Sequence, residues 1–109
     1  MTDPLDFTGK VVLVTGSSRG LGAEMIKAFG QRGAKCVVNY IADTAGQNKA
    51  DADGVAQALN DPLIIECDVT NPEQVESMMK TIADKFGGAG YLLKELDLKD
   101  APASLRRAA

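Results

Sequence analysis

Residues 10–22 read Lys-Val-Val-Leu-Val-Thr-Gly-Ser-Ser-Arg-Gly-Leu-Gly, and a helical pattern follows them as far as Arg32. The apolar run at positions 11–14 predicts a buried strand, and the glycines at 16, 20 and 22 predict a turn into a helix. A helix N-terminus presents unpaired backbone N–H groups and partial positive charge, and glycine has no Cβ to hold a phosphate away. The stretch therefore predicts a strand, a glycine turn and a helix that together suit the phosphates of a dinucleotide.

The rest of the chain alternates strand and helix patterns. Residues 35–40 and 63–67 read as the second and third strands. A second helix is predicted from a cap at Thr44 to about Asn60, and a third helix after a cap at Thr70, with apolar residues as far as Phe86. Right-handed crossovers between such elements give a parallel sheet in the order 3-2-1 with helices on both faces. We therefore predict an α/β fold of Rossmann type, truncated to about three strands.

Finer expectations concern the helices. The apolar spacing of the first helix predicts a buried face formed by Leu21, Met25, Ala28 and Phe29. Capping boxes are predicted at Thr44 with Gln47 and at Thr70 with Glu73, the latter with Pro72 in the first turn.

The glycine spacing, Gly-x-x-x-Gly-x-Gly after Thr15, resembles the cofactor signature of the short-chain dehydrogenase/reductase family. From Thr2 to about Gly88 the chain resembles the front of such a protein, of the 3-oxoacyl-carrier-protein reductase type. The resemblance implies a nicotinamide dinucleotide cofactor and NADPH-dependent reduction of a carbonyl. Two other motifs are set aside: residues 16–20 also satisfy the hydrolase pattern Gly-x-Ser-x-Gly, but the chain has no histidine for a triad, and no Gly-Lys-Ser/Thr of an ATPase loop is present.

Each residue of the turn has its own predicted role. Gly16 permits the tight bend, Gly20 brings the backbone close to the pyrophosphate, and Gly22 lets the helix pack against the strand. The resemblance assigns Ser18 and the backbone of Leu21 to the phosphate or the nicotinamide-side ribose. The alternative is a glycine-rich loop that only turns the chain.

The choice of cofactor depends on the end of the second strand, where a carboxylate would bind the ribose 2′-hydroxyl and repel a 2′-phosphate. Asn39 and Tyr40 stand there instead. With Arg19 beside the adenosine ribose in the family's pattern, a 2′-phosphate would meet a cation and an amide donor, so NADP is favoured over NAD. Asp43 is a competing carboxylate a few residues on, and Arg19 could instead be a solvated residue at the helix start.

The pair Asp68-Val69 follows the third strand and matches the pair that brackets the adenine in this family. The resemblance implies that the Asp68 carboxylate accepts from the ring amino group and that Val69 packs on the ring. Without that pattern, Asp68 would simply begin a turn before Thr70.

The chain departs from the family after Gly88. The family's Asn-Asn-Ala-Gly, its serine and its Tyr-x-x-x-Lys pair do not occur in the sequence, and Tyr91 and Lys94 are one residue too close together for that pair. No catalytic residue is therefore assigned, and these residues alone are expected to be inactive. We divide the chain into a dinucleotide-binding half, 1–88, and a divergent tail, 89–109, without a fourth strand; the leucines of the tail, beginning with Leu92 and Leu93, predict a helix.

Three interpretations of function stay open: the NADP-binding half of an oxidoreductase, a noncatalytic nucleotide-binding or regulatory module, and an inert product of truncation or of a changed reading frame. The net charge of −3 disfavours nucleic acid and anionic membranes as partners, and no signal peptide or long apolar run is evident, so a cytoplasmic protein is expected. Without histidine no metal site is predicted, and Cys36 and Cys67 are expected to be reduced core residues. The first strand is expected to have an exposed flank, which predicts dimerisation or aggregation unless the tail covers it.

Overall fold

Residues 6–87 and 91–94 are described in the structure, a computed structural model. They form a four-stranded parallel sheet in the order β3-β2-β1-β4, which confirms the Rossmann-type fold and the predicted order 3-2-1. The elements in chain order are β1 Val11–Val14, α1 Gly20–Gln31, β2 Lys35–Tyr40, α2 Gln47–Ala56, β3 Leu63–Glu66, α3 Pro72–Phe86 and β4 Tyr91–Lys94.

Two apolar layers cover the sheet, one on each face. Alternate strand residues point to opposite faces. Val12, Val14, Cys36 and Val38 pack with Ile26 of α1 and with α2. On the other face, the buried cluster is Val11, Leu13, Val37, Cys67, Met78 and Ile82, the last two from α3. This division follows from right-handed crossovers, because the connection to β4 runs in the opposite direction along the sheet from the first two.

The fourth strand corrects the expectation for the tail. Tyr91–Lys94 pairs in parallel with β1, Val11 opposite Tyr91 and Val14 opposite Lys94, so the prediction of a helix is wrong for these residues. The pairing also covers the flank of β1 that was expected to be exposed. A short apolar run has no periodicity that separates strand from helix, and here pairing with β1 decides. The rest of the tail, residues 89–90 and 95–109, lies outside the described residues. The division of the chain at residue 88 remains a prediction.

The buried face of α1 also differs from the predicted one. Gly22, Ala23 and Ile26 are buried, whereas Leu21 and Ala28 are exposed. The small residues Gly22 and Ala23 let the start of the helix approach the turn that precedes it. The helix is therefore rotated by about one residue relative to a stripe chosen for the largest side chains, and Leu21 faces outward.

Neither predicted capping box forms. The Asp43 carboxylate accepts from the backbone N–H groups of Gln47 and Asn48, so Asp43 rather than Thr44 caps α2. The Asn71 side chain caps α3 by accepting from Glu73 and Gln74, with Pro72 in the first turn as predicted. In both cases a carboxylate or amide oxygen, a strong acceptor, supplies the cap.

Both cysteines are buried and free, as expected. Burial raises the pKa of the Cys36 thiol to about 11 and also raises the pKa of Cys67. Among the described residues, no cluster of histidine, cysteine or acidic side chains could hold a metal ion, and no helix is long and apolar enough to cross a membrane.

Candidate functional site

The glycine turn between β1 and α1 is open on its outer side. Gly16 and Gly20 have φ of 68° and 60°, a region that side chains disfavour, and a Cβ on either would meet no atom within 4 Å. Gly22 is enclosed instead, since a Cβ there would lie 2.6 Å from the carbonyl oxygen of Gly16. Two glycines thus leave room for a ligand, and the third permits the contact between helix and turn.

The N-terminus of α1 differs from those of the other two described helices. Asp43 caps α2 and Asn71 caps α3, but Arg19 at the start of α1 supplies no side-chain cap. The first backbone N–H groups of a helix have no partner inside the helix. In α1 they adjoin the open side of Gly20, so the site offers backbone donors to an anion.

Asn39 lies behind the turn and is 3% exposed. Its Oδ1 accepts from the Gly16 N–H at 3.0 Å, and its Nδ2 donates to the carbonyls of Ile65 and Cys67, each at 3.3 Å. Its amide is therefore engaged inside the protein. The expectation that this amide donates to a 2′-phosphate does not fit the structure, because side chains alternate along a strand and position 39 faces α3, with its Nδ2 4.0 Å from Sδ of Met78.

The two serines of the turn are both buried. Ser17 is 0% exposed, and its hydroxyl accepts from the backbone N–H of Asn39 at 3.0 Å. Ser18, a predicted ligand residue, is 7% exposed. The sequence did not predict a role for Ser17. Only the fold, which places its hydroxyl against the backbone of β2, distinguishes Ser17 from Ser18.

Arg19 extends toward α2. Its Nε lies 3.6 Å from Oδ2 of Asp51, and its side chain is 61% exposed. Tyr40, at the end of β2, is half-buried and packs against the core, while Asp43 is occupied with capping α2. Arg19 is thus an exposed cation at the β2 side of the turn, paired with Asp51 in an ion pair of small energy.

Asp68 and Val69 follow β3 at the same edge of the sheet. One oxygen of Asp68, Oδ1, accepts from the backbone N–H and the hydroxyl of Thr70, and these bonds lower the pKa of the carboxyl. The carboxylate is therefore ionised at neutral pH and held in one orientation. An open depression of about 590 Å³ lies beside it, lined by Asp68, Thr70, Asn71, Pro72 and Glu73.

Among residues 6–87, three large apolar side chains are exposed: Leu21 at 45%, Ile41 at 52% and Val69 at 39%. They follow β1, β2 and β3 respectively, and the carboxyl ends of parallel strands share one edge of the sheet. Leu21 and Val69 were predicted site residues, whereas Ile41 was not. An apolar residue directly after a predicted strand end is the signal that could have identified it.

Comparison with known proteins agrees with this geometry. Residues 10–95 match the family model described as short chain dehydrogenase, a match that includes β4. The chain belongs to the short-chain dehydrogenase/reductase family. Ligands in open parallel sheets bind outside the carboxyl ends of the strands, where the direction of strand order reverses. In this chain that point lies between β1 and β4, beside the glycine turn.

Individual relatives support the assignment. The chain is 37% identical over 92 residues to a 3-oxoacyl-[acyl-carrier-protein] reductase of Vibrio cholerae, covering 82% of this chain and 34% of that protein. It is 40% identical over 86 residues to versicolorin reductase of Emericella nidulans, covering 79% and 32%. A 3-ketoacyl-(acyl-carrier-protein) reductase from Brucella melitensis, solved in complex with NADH, is 31% identical and superposes with a TM-score of 0.66, covering 80% and 33%. The chain spans about a third of the length of these relatives.

Proposed function

We propose that this part of the chain binds a nicotinamide adenine dinucleotide across the carboxyl edge of its sheet. The observation that carries the proposal is the N-terminus of α1: its donors are uncapped, and the two glycines beside them leave open space. A pyrophosphate there would accept from backbone N–H groups and gain from the helix dipole. The open space beside Gly16 and Gly20 and the backbone N–H groups of α1 both fit a pyrophosphate.

The adenine and its ribose are proposed to lie between the ends of β2 and β3. Asp68 is ionised and has its second oxygen, Oδ2, without a hydrogen bond to any described residue, so it can accept from a ring amino group. Val69 and Ile41 offer exposed apolar surface on which a ring can pack. Leu21 and Ser18 are proposed to contact the phosphates or the nicotinamide-side ribose, as the resemblance implies.

We further propose that NADP is preferred over NAD. Two observations support this: the last residue of β2 is Tyr40 rather than a carboxylate, and Arg19 is an exposed cation nearby. The Asn39 amide contributes nothing to this preference. Asp51 competes with a 2′-phosphate for Arg19, and because exposed ion pairs are worth about 0–1 kcal/mol, a phosphate with two charges can displace it.

Binding measured by calorimetry with NADPH and NADH tests both proposals. Arg19→Ala is expected to weaken NADPH binding about tenfold or more, the worth of a charge-assisted hydrogen bond, and to leave NADH unchanged. Asp51→Asn is expected to strengthen NADPH binding severalfold by releasing Arg19. Lys27→Ala and Asp53→Asn are matched controls, because each removes the same charge from a surface pair on α1 or α2 away from the turn. Equal losses for both dinucleotides in Arg19→Ala would contradict the preference, and no binding by the unaltered chain would contradict the site.

For the whole protein we propose NADPH-dependent reduction of a carbonyl, in which the bound dinucleotide supplies the hydride. The proposal rests on family membership and on relatives whose names are those of reductases. The 109 residues contain no Tyr-x-x-x-Lys pair, so we propose that they bind the cofactor without turnover. A chain that oxidises NADPH in the presence of a carbonyl substrate would overturn that statement.

A further inference from the structure

Asn39 connects the two ends of the predicted ligand site. Its Oδ1 holds the Gly16 N–H, at the beginning of the phosphate turn, and its Nδ2 holds the Cys67 carbonyl, one residue before Asp68. The backbone on either side is connected as well, since the Asn39 N–H donates to Ser17 and the Cys67 N–H donates to the Tyr40 carbonyl at 2.9 Å. One buried residue therefore joins the glycine turn, β2 and β3.

We propose that Asn39 is a positioning residue that sets the separation between the pyrophosphate turn and the adenine-binding pair Asp68-Val69. The inference rests on the proposed function. It adds a residue that contacts neither the pyrophosphate nor the adenine but sets the distance between their binding sites. Asn39 touches no ligand, because its side chain is 3% exposed and both ends of its amide have partners inside the protein.

The amide suits this role better than other side chains of its size. It must accept from one backbone N–H and donate to carbonyls on the opposite side, which an amide does with one planar group. Aspartate would keep the acceptor and lose both donors, and an apolar residue would leave the Gly16 N–H and two carbonyls without their side-chain partner in a buried place. Each of these losses lets the turn move relative to β3.

A dinucleotide bound at both ends gains because the second contact is intramolecular, and that gain depends on the distance between the two subsites. Fragments that contact only one subsite do not have this gain. Loss of a positioning residue therefore weakens the whole dinucleotide more than its parts. A residue that only stabilises the fold would affect all ligands equally, or none while the protein stays folded.

The test compares Asn39→Ala with the unaltered chain for three ligands: NADPH, adenosine monophosphate and inorganic pyrophosphate. Amide NMR shifts at Val69 and Gly20 report the two ends separately. We expect NADPH to bind at least about tenfold more weakly and each fragment to change by less than about twofold. Exchange of the Gly16 amide hydrogen, which needs no ligand, is expected to accelerate in the variant because its acceptor is gone.

Val38→Ala is the matched control, because it destabilises the same strand from the face toward α1 and α2 without a hydrogen bond to the turn. It is expected to bind NADPH as the unaltered chain does. If Asn39→Ala does not fold, Ser17→Ala removes one connection between turn and strand and is expected to weaken NADPH binding about threefold with unchanged fragments.

Equal NADPH binding by the folded variants and the unaltered chain would overturn the positioning role and leave the proposed function intact. Fragment affinities that fall as far as the NADPH affinity would also overturn it, because the effect would then be local. An unaltered chain that binds no dinucleotide would overturn the proposed function itself, while Gly16 exchange would still show whether the Asn39 bond forms.

Discussion

Two helical glycines make a matched pair for testing the turn geometry. Alanine at Gly22 would place its Cβ 2.6 Å from the Gly16 carbonyl oxygen and 3.0 Å from the Ser17 Cα, both backbone atoms that no rotamer change can move. Alanine at Gly54, in α2, would meet nothing within 4 Å. Both substitutions gain the helix propensity of alanine, about 1 kcal/mol relative to glycine. Only Gly22→Ala adds the cost of overpacking, about 1–3 kcal/mol.

The expected free energies of unfolding therefore differ by about 1–3 kcal/mol, with Gly54→Ala the more stable variant. For a domain of this size the gap separates the thermal midpoints by at least about 4 °C, which circular dichroism resolves easily. Gly22→Ala is also expected to lose dinucleotide binding, because α1 and the turn must move apart, whereas Gly54→Ala keeps it. Equal midpoints together with equal binding would refute the enclosed position of Gly22.

Further predictions concern protonation, thiol chemistry and capping. Burial raises the pKa of Cys36 to about 11, so its thiolate fraction at pH 8 is about one in a thousand, and burial also raises the pKa of Cys67. Both thiols should therefore react with a disulfide reagent only after the protein is unfolded in urea. Hydrogen bonds from Thr70 lower the pKa of Asp68 below its ordinary 3.8. The stability that these bonds contribute is therefore complete above pH 3.8 and is lost as the pH falls through the lower pKa of the folded state. Thr70→Val should move the pKa of Asp68 back toward 3.8 in an NMR titration. Asn71→Ala should reduce the free energy of unfolding by about 1 kcal/mol through loss of the α3 cap, without changing dinucleotide affinity, and an affinity change would mean that the end of β3 has moved.

Much of the fold could be predicted because local patterns and long-range packing agree. The strand at 35–40, the third helix with Pro72 in its first turn and the order 3-2-1 follow from apolar runs, turn residues and the handedness of crossovers. The fourth strand could not be predicted in the same way. Residues 91–94 are only four residues, flanked by Gly90 and Glu95, and pairing with β1 rather than intrinsic preference makes them a strand.

In the candidate site, the sequence predicted the positions of the glycines but not the contacts of the side chains. Spacing alone predicted a strand-to-helix turn at Gly16, Gly20 and Gly22, because a turn that admits a phosphate requires missing Cβ atoms at those places. The predicted contact of the Asn39 amide with a 2′-phosphate does not fit its buried hydrogen bonds, and the positions of Ser17 and Ile41 were not predicted. Each of these depends on which side of the sheet edge a residue faces once β2 lies beside β1 and β3.

The sequence by itself determined the class of this protein, because the glycine turn and the alternation of apolar runs are local properties of the chain. Only the tertiary structure decided that the Asn39 side chain bonds both the glycine turn and the Cys67 carbonyl after β3, and that Arg19 pairs with Asp51. It also decided that Tyr91–Lys94 pairs with β1 as a fourth strand. Those contacts join residues more than twenty positions apart. Their partners are chosen by the packing of the whole sheet, and a local pattern carries no information about which distant group will lie within hydrogen-bonding distance.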